Sequence, residues 1–328
     1  MNSFRTVVTA AKQNFQISHQ SRLVSIGSCF SENIGKKFQE NKFRININPF
    51  GQQYNPLSIA HAINLLLENK PFTERDLVQH DELWHSFAHH GSYSKTNKAE
   101  MLSSLNAELN KAADDLLSAD ILFLTFGTAH VFELNETGKV VSNCHKMPAG
   151  LFNQRLLTPQ EIVEELGSTL QKLHTANRQL KTVLTVSPVR YFAFGHYENS
   201  VSKAHLFTAM HQLQQQQPDL YYFPAYEMVI DDLRDYRFYA EDMLHPNRQA
   251  TEYVWERLCE TLLHKNSLNL IKEIAEVVNA ANHRPRNSNT EAHRKFVEKY
   301  LERIKALKQK QAFDFSEEEK LLLKHLHG

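Results

Sequence analysis

The residues best suited to chemistry lie at two distant points of the chain. Ser28 and Cys29 directly follow the apolar, β-prone run 22–27, and a helix-forming segment begins at once, with Ser31 and Glu32 as capping residues. This pattern predicts a strand, a tight turn and a helix N-terminus. A hydroxyl or thiol at such a turn lies at the carboxyl end of a strand, where open α/β sheets bind ligands. The helix N-terminus is also expected to lower the pKa of a thiol beside it.

The second point lies far downstream, in the segment 241–247. Asp242 precedes His245 by three residues, and Pro246 is suited to begin the next helix at its first turn. A single turn therefore presents an imidazole that can act as a base and a carboxylate that can orient it. Together with the first point, this supplies a nucleophile, a base and an orienting acid.

These two segments resemble the first and last sequence blocks of the SGNH, or GDSL-type, hydrolases. Within that group, the string Gly27-Ser28-Cys29-Phe30 resembles the GSCFA-domain proteins, which are named for it. The similarity covers roughly residues 1–250 and continues through short segments at 48–51, 54–56, 85–86, 89–92, 126–129, 143–148 and 187–190.

The resemblance implies a three-layer αβα fold of the SGNH, flavodoxin-like type and acyl transfer from an ester or thioester, such as an acylated carbohydrate. By register, Cys29 stands where SGNH enzymes place the serine nucleophile, and Ser28 where their aspartate stands. His245 would deprotonate the thiol and Asp242 would hold the imidazole. Ser28 as the nucleophile, with Cys29 structural, is an open alternative, because only one of two adjacent side chains in a turn faces His245.

The oxyanion donors are less well defined. The resemblance implies that the backbone N–H of Gly51 stabilises the oxyanion, although Gly51 is equally compatible with a plain turn. In the block that normally supplies an oxyanion asparagine, this chain has Ala129, so Thr128 or another segment must replace that donor. Asn143 and His145, at the exit of a predicted β-hairpin, are the candidates from another segment.

Two further residues are candidates for substrate contacts. Arg190 follows a predicted strand, and its guanidinium either binds an anionic or sugar-like substrate or forms an ion pair that holds the loop. His85 lies in the aperiodic segment 69–98, which also contains three other histidines, His80, His89 and His90. Since no carboxylate or cysteine accompanies them at a familiar ligand spacing, we predict no metal and interpret the segment as a wall or lid of the active site.

The periodicity predicts alternating strands and helices, and thus a parallel sheet of about five strands with helices on both faces. Strands are predicted at 22–27, 43–47, 119–127, 182–187 and 220–223, and helices at 31–41, 56–68, 99–117, 158–178, 200–217 and 247–264. We assign residues 1–265 to an SGNH-like α/β domain. Residues 266–328 form a charged helical extension, interrupted at 283–289, that packs back on the domain or makes a homo-oligomer contact.

Composition restricts the function. Lys plus Arg and Asp plus Glu both number 37, so the net charge is zero and nucleic acid is not an expected partner. We find no signal peptide and no run long enough to span a membrane, and the three cysteines lack a disulfide framework. We therefore expect a cytoplasmic protein that needs no cofactor and acts on a small-molecule or carbohydrate ester.

Two other classes of function are compatible with the same residues. The first is a binding protein that lost the oxyanion asparagine and recognises a carbohydrate or acylated ligand in the same cleft. The second is a thiolate metal or redox site built from Cys29, Cys144, His145 and His245.

Overall fold

The computed structural model describes residues 5–283 and 290–327, so most of the predicted interruption at 283–289 lies outside the described residues. The described strands are β1 (Arg22–Gly27), β2 (Arg44–Ile47), β3 (Val78–His80), β4 (Leu83–His85), β5 (Ile121–Phe126), β6 (His130–Leu134), β7 (Val140–Val141), β8 (Phe152–Leu156), β9 (Lys181–Val186) and β10 (Leu220–Tyr222).

The described helices are α1 (Cys29–Glu40), α2 (Pro56–Glu68), α3 (Lys98–Leu117), α4 (Pro159–Ala176), α5 (His196–Gln216), α6 (Ala225–Glu227), α7 (Arg248–Leu262), α8 (Lys265–Asn282), α9 (Glu291–Lys310) and α10 (Ser316–His327). A π-helical segment, Met228–Leu233, continues α6. In the part of the chain that the structure describes, no helix combines the length and the apolar character required to span a bilayer.

The central sheet has five parallel strands, as the sequence predicted, and the structure gives their order as β10-β9-β5-β1-β2. Strand β1 lies between β2 and β5. The chain passes from β1 to β2 on one side and later returns to β5 on the other side, so the direction of the strand order reverses at β1. In open sheets of this kind, the crevice outside the carboxyl ends of the strands at such a reversal is where ligands bind. Here the two strands that flank the crevice end at Gly27 and Phe126.

Helices cover both faces of the sheet because its strands are apolar on both sides. Strand β5 is buried along its whole length. Its residues Leu122 and Leu124 belong to the core formed with α2 to α5, whereas Ile121 and Phe123 belong to the core formed with α1 and α7. Residues buried on both faces are the pattern of a parallel strand, which explains why this unbroken apolar run was easy to recognise.

Helices α8 to α10 enclose an apolar cluster of their own. They also contact the α/β part of the chain: Gln311 Nε2 donates to the His19 carbonyl at 2.6 Å, and Lys42 Nζ pairs with Glu318 Oε1 at 2.8 Å. The C-terminal helices therefore pack back on the domain. The domain boundary at residue 265 stays a prediction.

The structure corrects three local predictions. Helix α1 begins at Cys29 rather than 31, and Ser28, not Ser31 or Glu32, occupies its N-cap position. Helix α5 begins at His196 rather than 200. Strand β8 was not predicted, because its mixed polar sequence lacks apolar alternation; it forms through pairing with β6, next to the predicted β6–β7 hairpin.

Candidate active site

A cleft of about 670 Å³ opens at the carboxyl edge of the central sheet. Its walls come from the segments that follow β1, β2, β5 and β9, from the exit of the β6–β7 hairpin and from the turn before α7. The polar lining residues include Ser28, Cys29, Gln52, Tyr54, Thr128, Asn143, Arg190 and His245, and the apolar wall includes Phe132, Val141, Val189, Phe194 and Leu244. The two chemically suggestive segments thus open on one cleft.

The turn between β1 and α1 requires glycine at its start. Gly27 has a φ of +156°, and a Cβ at this position would lie 2.4 Å from the Thr125 carbonyl oxygen. The tight turn brings Cys29 to the first position of α1, half-exposed at the cleft. Ser28 is only 2% exposed, and its Oγ has no hydrogen-bond partner among the described residues. Exposure therefore favours Cys29 over Ser28 as the group that meets a substrate.

The electrostatics of Cys29 differ from the prediction. Burial raises the pKa of the Cys29 thiol. The backbone N–H groups of Phe30 and Cys29 at the helix N-terminus oppose this shift; the Glu32 carboxylate adds to it and the Lys203 ammonium opposes it. The expectation that the helix N-terminus sets a lowered pKa was wrong, because desolvation of the thiolate outweighs the helix amides. The thiol is therefore neutral at rest and needs a base.

Asp242 and His245, which lie three residues apart in the sequence, are in contact in the structure. His245 Nδ1 lies 2.6 Å from Asp242 Oδ2, while Asp242 Oδ1 accepts the N–H groups of His245 at 3.0 Å and Leu244 at 2.9 Å. These two N–H groups, that of His245 first, and then the imidazole lower the pKa of Asp242 to about 2. An ionised carboxylate makes Nδ1 the donor, which leaves Nε2 of His245 as the acceptor for a proton.

The base does not touch the thiol in this structure. Within residues 5–283 and 290–327, no hydrogen bond joins Cys29 Sγ to a ring nitrogen of His245, although both side chains line the cleft. The His245 side chain is 44% exposed and lies at the mouth of the cleft. Catalytic hydrogen bonds are commonly loose before substrate binds, so this geometry alone does not exclude His245 as a base for Cys29.

Most of the predicted oxyanion donors are already engaged. The N–H of Gly51 donates to the Asn48 carbonyl at 2.7 Å, and Gly51 does not line the cleft. The N–H of Thr128 donates to the Tyr54 carbonyl at 3.0 Å. The Thr128 hydroxyl lies 3.0 Å from Ser202 Oγ and accepts the N–H of His130 at 3.1 Å. Among the described residues, the backbone N–H groups of both Gly51 and Thr128 are therefore engaged.

Asn143 is better placed than these residues. It lines the cleft, and its Oδ1 accepts the N–H of His145 at 2.8 Å. This bond fixes the amide plane, and Nδ2 makes no hydrogen bond within the described part of the chain, so it is free to donate to a reacting oxygen. The N–H of Cys29, in the first turn of α1, is a second donor without a partner in the helix.

His85 and His145 hold loops in place and do not line the cleft. His145 Nε2 donates to the Ser86 carbonyl at 2.8 Å, and burial lowers the pKa of His145 to about 4. His85 Nδ1 lies 2.7 Å from Ser94 Oγ, and its Nε2 lies 3.0 Å from the His80 carbonyl oxygen. The two rings are 4.5 Å apart. Both serve to connect the 78–94 segment to the loop after β7.

Sequence reasoning missed Lys203. This lysine of α5 is 2% exposed, and its Nζ donates to the carbonyls of Gly127 and Ser187 at 2.7 Å each. It thus joins the ends of β5 and β9 beneath the cleft. Burial lowers the pKa of Lys203 to about 7, and a negative charge on the neighbouring Cys29, when the thiol ionises, opposes that shift. A single lysine in a helix with many polar residues gives no sequence signal, because only the folded chain places it under the cleft.

Arg190 lies in the cleft wall, as its predicted position after β9 implied. The ion pair considered as an alternative is absent: within the described residues, no carboxylate oxygen lies within 4.0 Å of its guanidinium. Likewise, no three His, Cys, Asp or Glu side chains of the described residues are grouped so that they could hold a metal ion.

Residues 22–258 match the model of the GSCFA family, and residues 274–328 match the model described as the GSCFA domain protein, C-terminal domain. No curated protein sequence is similar enough to match the chain.

Solved structures with a similar chain path include three esterases. A carbohydrate esterase family 3 protein from Talaromyces cellulolyticus has 9% identity, covers 76% of this chain and 98% of its own, and has a TM-score of 0.34. An acetyl esterase mutant solved with an acetate ion has 10% identity, coverages of 78% and 98%, and a TM-score of 0.33. An acetyl xylan esterase from the rumen bacterium Butyrivibrio proteoclasticus has 12% identity, coverages of 79% and 67%, and a TM-score of 0.35.

Proposed function

We propose that this chain, which belongs to the GSCFA family, catalyses acyl transfer from a small-molecule or carbohydrate ester, or a thioester, to water or another acceptor. Cys29 is the nucleophile, His245 the general base and acid, and Asp242 the residue that orients the imidazole. The observation that carries the proposal is that the half-buried thiol at the start of α1 and the imidazole of His245, which is bonded to Asp242, line the same cleft.

In the first half of the reaction, Sγ of Cys29 attacks the carbonyl carbon of the ester. The thiol proton passes to Nε2 of His245, and the negative charge moves to the carbonyl oxygen, which accepts hydrogen bonds from Asn143 Nδ2 and the N–H of Cys29. The C–O bond then breaks, and the imidazolium returns the proton to the leaving alcohol. A thioester to Cys29 remains.

In the second half, water or another hydroxyl attacks the thioester carbon. His245 accepts the proton of the attacking group, the C–S bond breaks, and the proton returns to Sγ, so that the neutral thiol is restored. Because burial raises the pKa of Cys29, the resting enzyme holds a thiol rather than a thiolate, and the rate depends on the base in both halves.

Intact-protein mass spectrometry after exposure to an activated ester tests this proposal directly. Wild type is compared with Cys29→Ala, Ser28→Ala and His245→Ala. We expect an acyl adduct in wild type that is lost in Cys29→Ala, forms more slowly in His245→Ala and persists in Ser28→Ala. An adduct lost in Ser28→Ala and retained in Cys29→Ala would contradict the assignment of the nucleophile.

A binding role for the same cleft has one observation in its favour. The N–H groups of Gly51, Gly127 and Thr128, three natural oxyanion donors, all donate to backbone carbonyls. A protein that binds an acylated carbohydrate without turning it over would give saturable binding with no adduct on any variant and no release of acid. That outcome would replace the proposal of catalysis.

A further inference from the structure

Arg190 is a cation that no carboxylate of the described chain neutralises. Its guanidinium lines the cleft, and its Nε is buried without a hydrogen-bond partner among the described residues. The phenol that it contacts is Tyr226: burial raises the pKa of Tyr226, and the Arg190 guanidinium opposes that shift. A neutral phenol does not balance the charge. A buried donor without a partner is costly, so its retention points to a partner that arrives with a ligand.

The buried ammonium of Lys203 is a second positive charge close to Arg190. Lys203 is buried in α5 and bonded only to the carbonyls of Gly127 and Ser187. Arg190 contributes to the lowering of the Lys203 pKa, after the larger effect of burial, so the two cations are close enough to repel each other. Two cations share this side of the cleft.

No carboxylate offsets them from inside the cleft, since none of the residues that line it is Asp or Glu. Arg190 also borders a neighbouring hollow that contains Asp235 and Asp242. Asp242 is bonded to His245, and Asp235 pairs with Arg237 at 3.5 Å. These two carboxylates therefore have other partners.

We infer that Arg190 forms a subsite for an anionic group of the substrate, a carboxylate, phosphate or sulfate, carried on either the acyl or the alcohol part. This inference rests on the proposed function, because it assigns a substrate class to the same cleft. The planar guanidinium suits two parallel hydrogen bonds to such a group. The field of Lys203 strengthens the attraction without contact, because low-dielectric walls focus it into the cleft.

The test compares kcat/KM for matched pairs of esters that differ in one negative charge. 4-Nitrophenyl hemisuccinate against 4-nitrophenyl butyrate places the charge on the acyl side. Acetylated glucuronic acid against acetylated glucose places it on the alcohol side. We expect wild type to prefer the anionic member of at least one pair by about 10- to 100-fold, as for a hydrogen-bonded charge.

The ratio of kcat/KM for the anionic ester to that for the neutral ester is expected to fall to about one in Arg190→Gln. In Arg190→Lys, which keeps the charge but not the planar pair of donors, the ratio should be intermediate. Arg178→Gln is the matched control. Arg178 is exposed at the opposite edge of the sheet, between α4 and β9, and its replacement removes the same charge far from the cleft. Its anionic preference should equal that of wild type.

A wild type that shows no preference in either pair, or a preference that Arg190→Gln retains, would overturn the subsite. If wild type hydrolyses none of the esters, catalysis fails while the subsite is still tested by thermal unfolding with succinate, glucuronate or inorganic phosphate. A rise in Tm in wild type and Arg178→Gln, absent in Arg190→Gln, supports the subsite. Equal shifts in all three proteins, or no shift in any, overturn it.

Discussion

Two regions of the molecule bring histidines together with hydrogen-bonding groups, and they differ in exposure. In the first, three buried histidines are bonded to backbone carbonyls and serine hydroxyls: His85 and His89 within the 78–94 segment, and His145, which contacts that segment. Burial lowers the pKa of His89 to about 3 and that of His145 to about 4. In the second, His245 is half-exposed and bonded to a carboxylate at the mouth of the cleft.

The comparison shows that the surroundings of a histidine, rather than the number of other histidines near it, decide whether it can exchange protons with a substrate. A ring buried away from water stays neutral, because burial disfavours the imidazolium more than hydrogen bonds to carbonyls favour it, and the ring acts as a packing group. A ring oriented by an ionised carboxylate, with its other nitrogen open to the cleft, can exchange protons with a substrate. The three clustered histidines therefore hold loops together by packing and hydrogen bonds, whereas the chemical role of the isolated His245 stays a prediction.

Replacing one histidine of each region tests this difference, and loss of His245 is expected to have the largest effect on activity. In His245→Gln we expect kcat/KM for an activated ester to fall about 1000-fold, the range for loss of a general base, with Tm nearly unchanged. In His145→Gln, which disturbs the bond to the Ser86 carbonyl, we expect Tm to fall while the folded protein retains most of its activity. Steady-state kinetics and calorimetry on both variants separate the two outcomes. An equal loss of activity in His245→Gln and His145→Gln would show that the two regions do not differ in their contribution to catalysis.

Asn143 links the two regions and has the next largest effect. Its Oδ1 holds the His145 backbone, and its Nδ2 is proposed to face the oxyanion. In Asn143→Asp, the acceptor for His145 is kept and the donor is lost, so we expect kcat to fall about 100-fold, as for one oxyanion-hole donor. Far-UV circular dichroism should match that of wild type. An Asn143→Asp variant with normal kcat would assign Asn143 to loop support alone.

The buried cluster should also be visible in the pH dependence of stability. The pKa of His89 falls from its ordinary value of 6.5 to about 3 on folding. The unfolded state thus binds more protons between these values, and stability is lost as pH falls below about 6.5. From about pH 7 to pH 5, His89 alone accounts for about 2 kcal/mol of the lost free energy of unfolding.

Urea unfolding at both pH values measures this loss. His89→Leu removes the titrating group while keeping an apolar side chain between Phe50 and Phe72, so its stability should depend less on pH than that of wild type. His211→Leu, on the exposed side of α5, is the control and should keep the wild-type slope. A His89→Leu variant with the wild-type slope would show that other groups cause the acid loss.

The smallest effect concerns the cation beneath the chemical region. In Lys203→Met, a charge that favours the Cys29 thiolate is removed, so the rate of thiol alkylation at neutral pH should fall about 3- to 10-fold. The midpoint of the pH–rate curve should move upward by a corresponding amount. Lys172→Met, an exposed change in α4, should leave both unaltered. An unchanged midpoint in Lys203→Met would show that the charge of Lys203 does not influence ionisation of the Cys29 thiol.

Much of the fold was predictable because its signals are local. The all-apolar run of β5, the Asn55 cap and Pro56 of α2, and the Thr158–Glu161 capping box of α4 each specify an element within a few residues, and the structure contains all of them. Strand β8 was missed because its polar sequence becomes a strand only through its neighbour β6.

The sequence by itself determined the strand, turn and helix around Ser28 and Cys29 and the contact between Asp242 and His245, because each is formed by residues close together in the chain. The tertiary structure decided which of Ser28 and Cys29 is exposed, which donors are free and which histidines are buried. It also placed Lys203 against Gly127, 76 residues away along the chain. Such contacts depend on how distant segments pack, and burial and charge, which set proton affinities, exist only after that packing is complete.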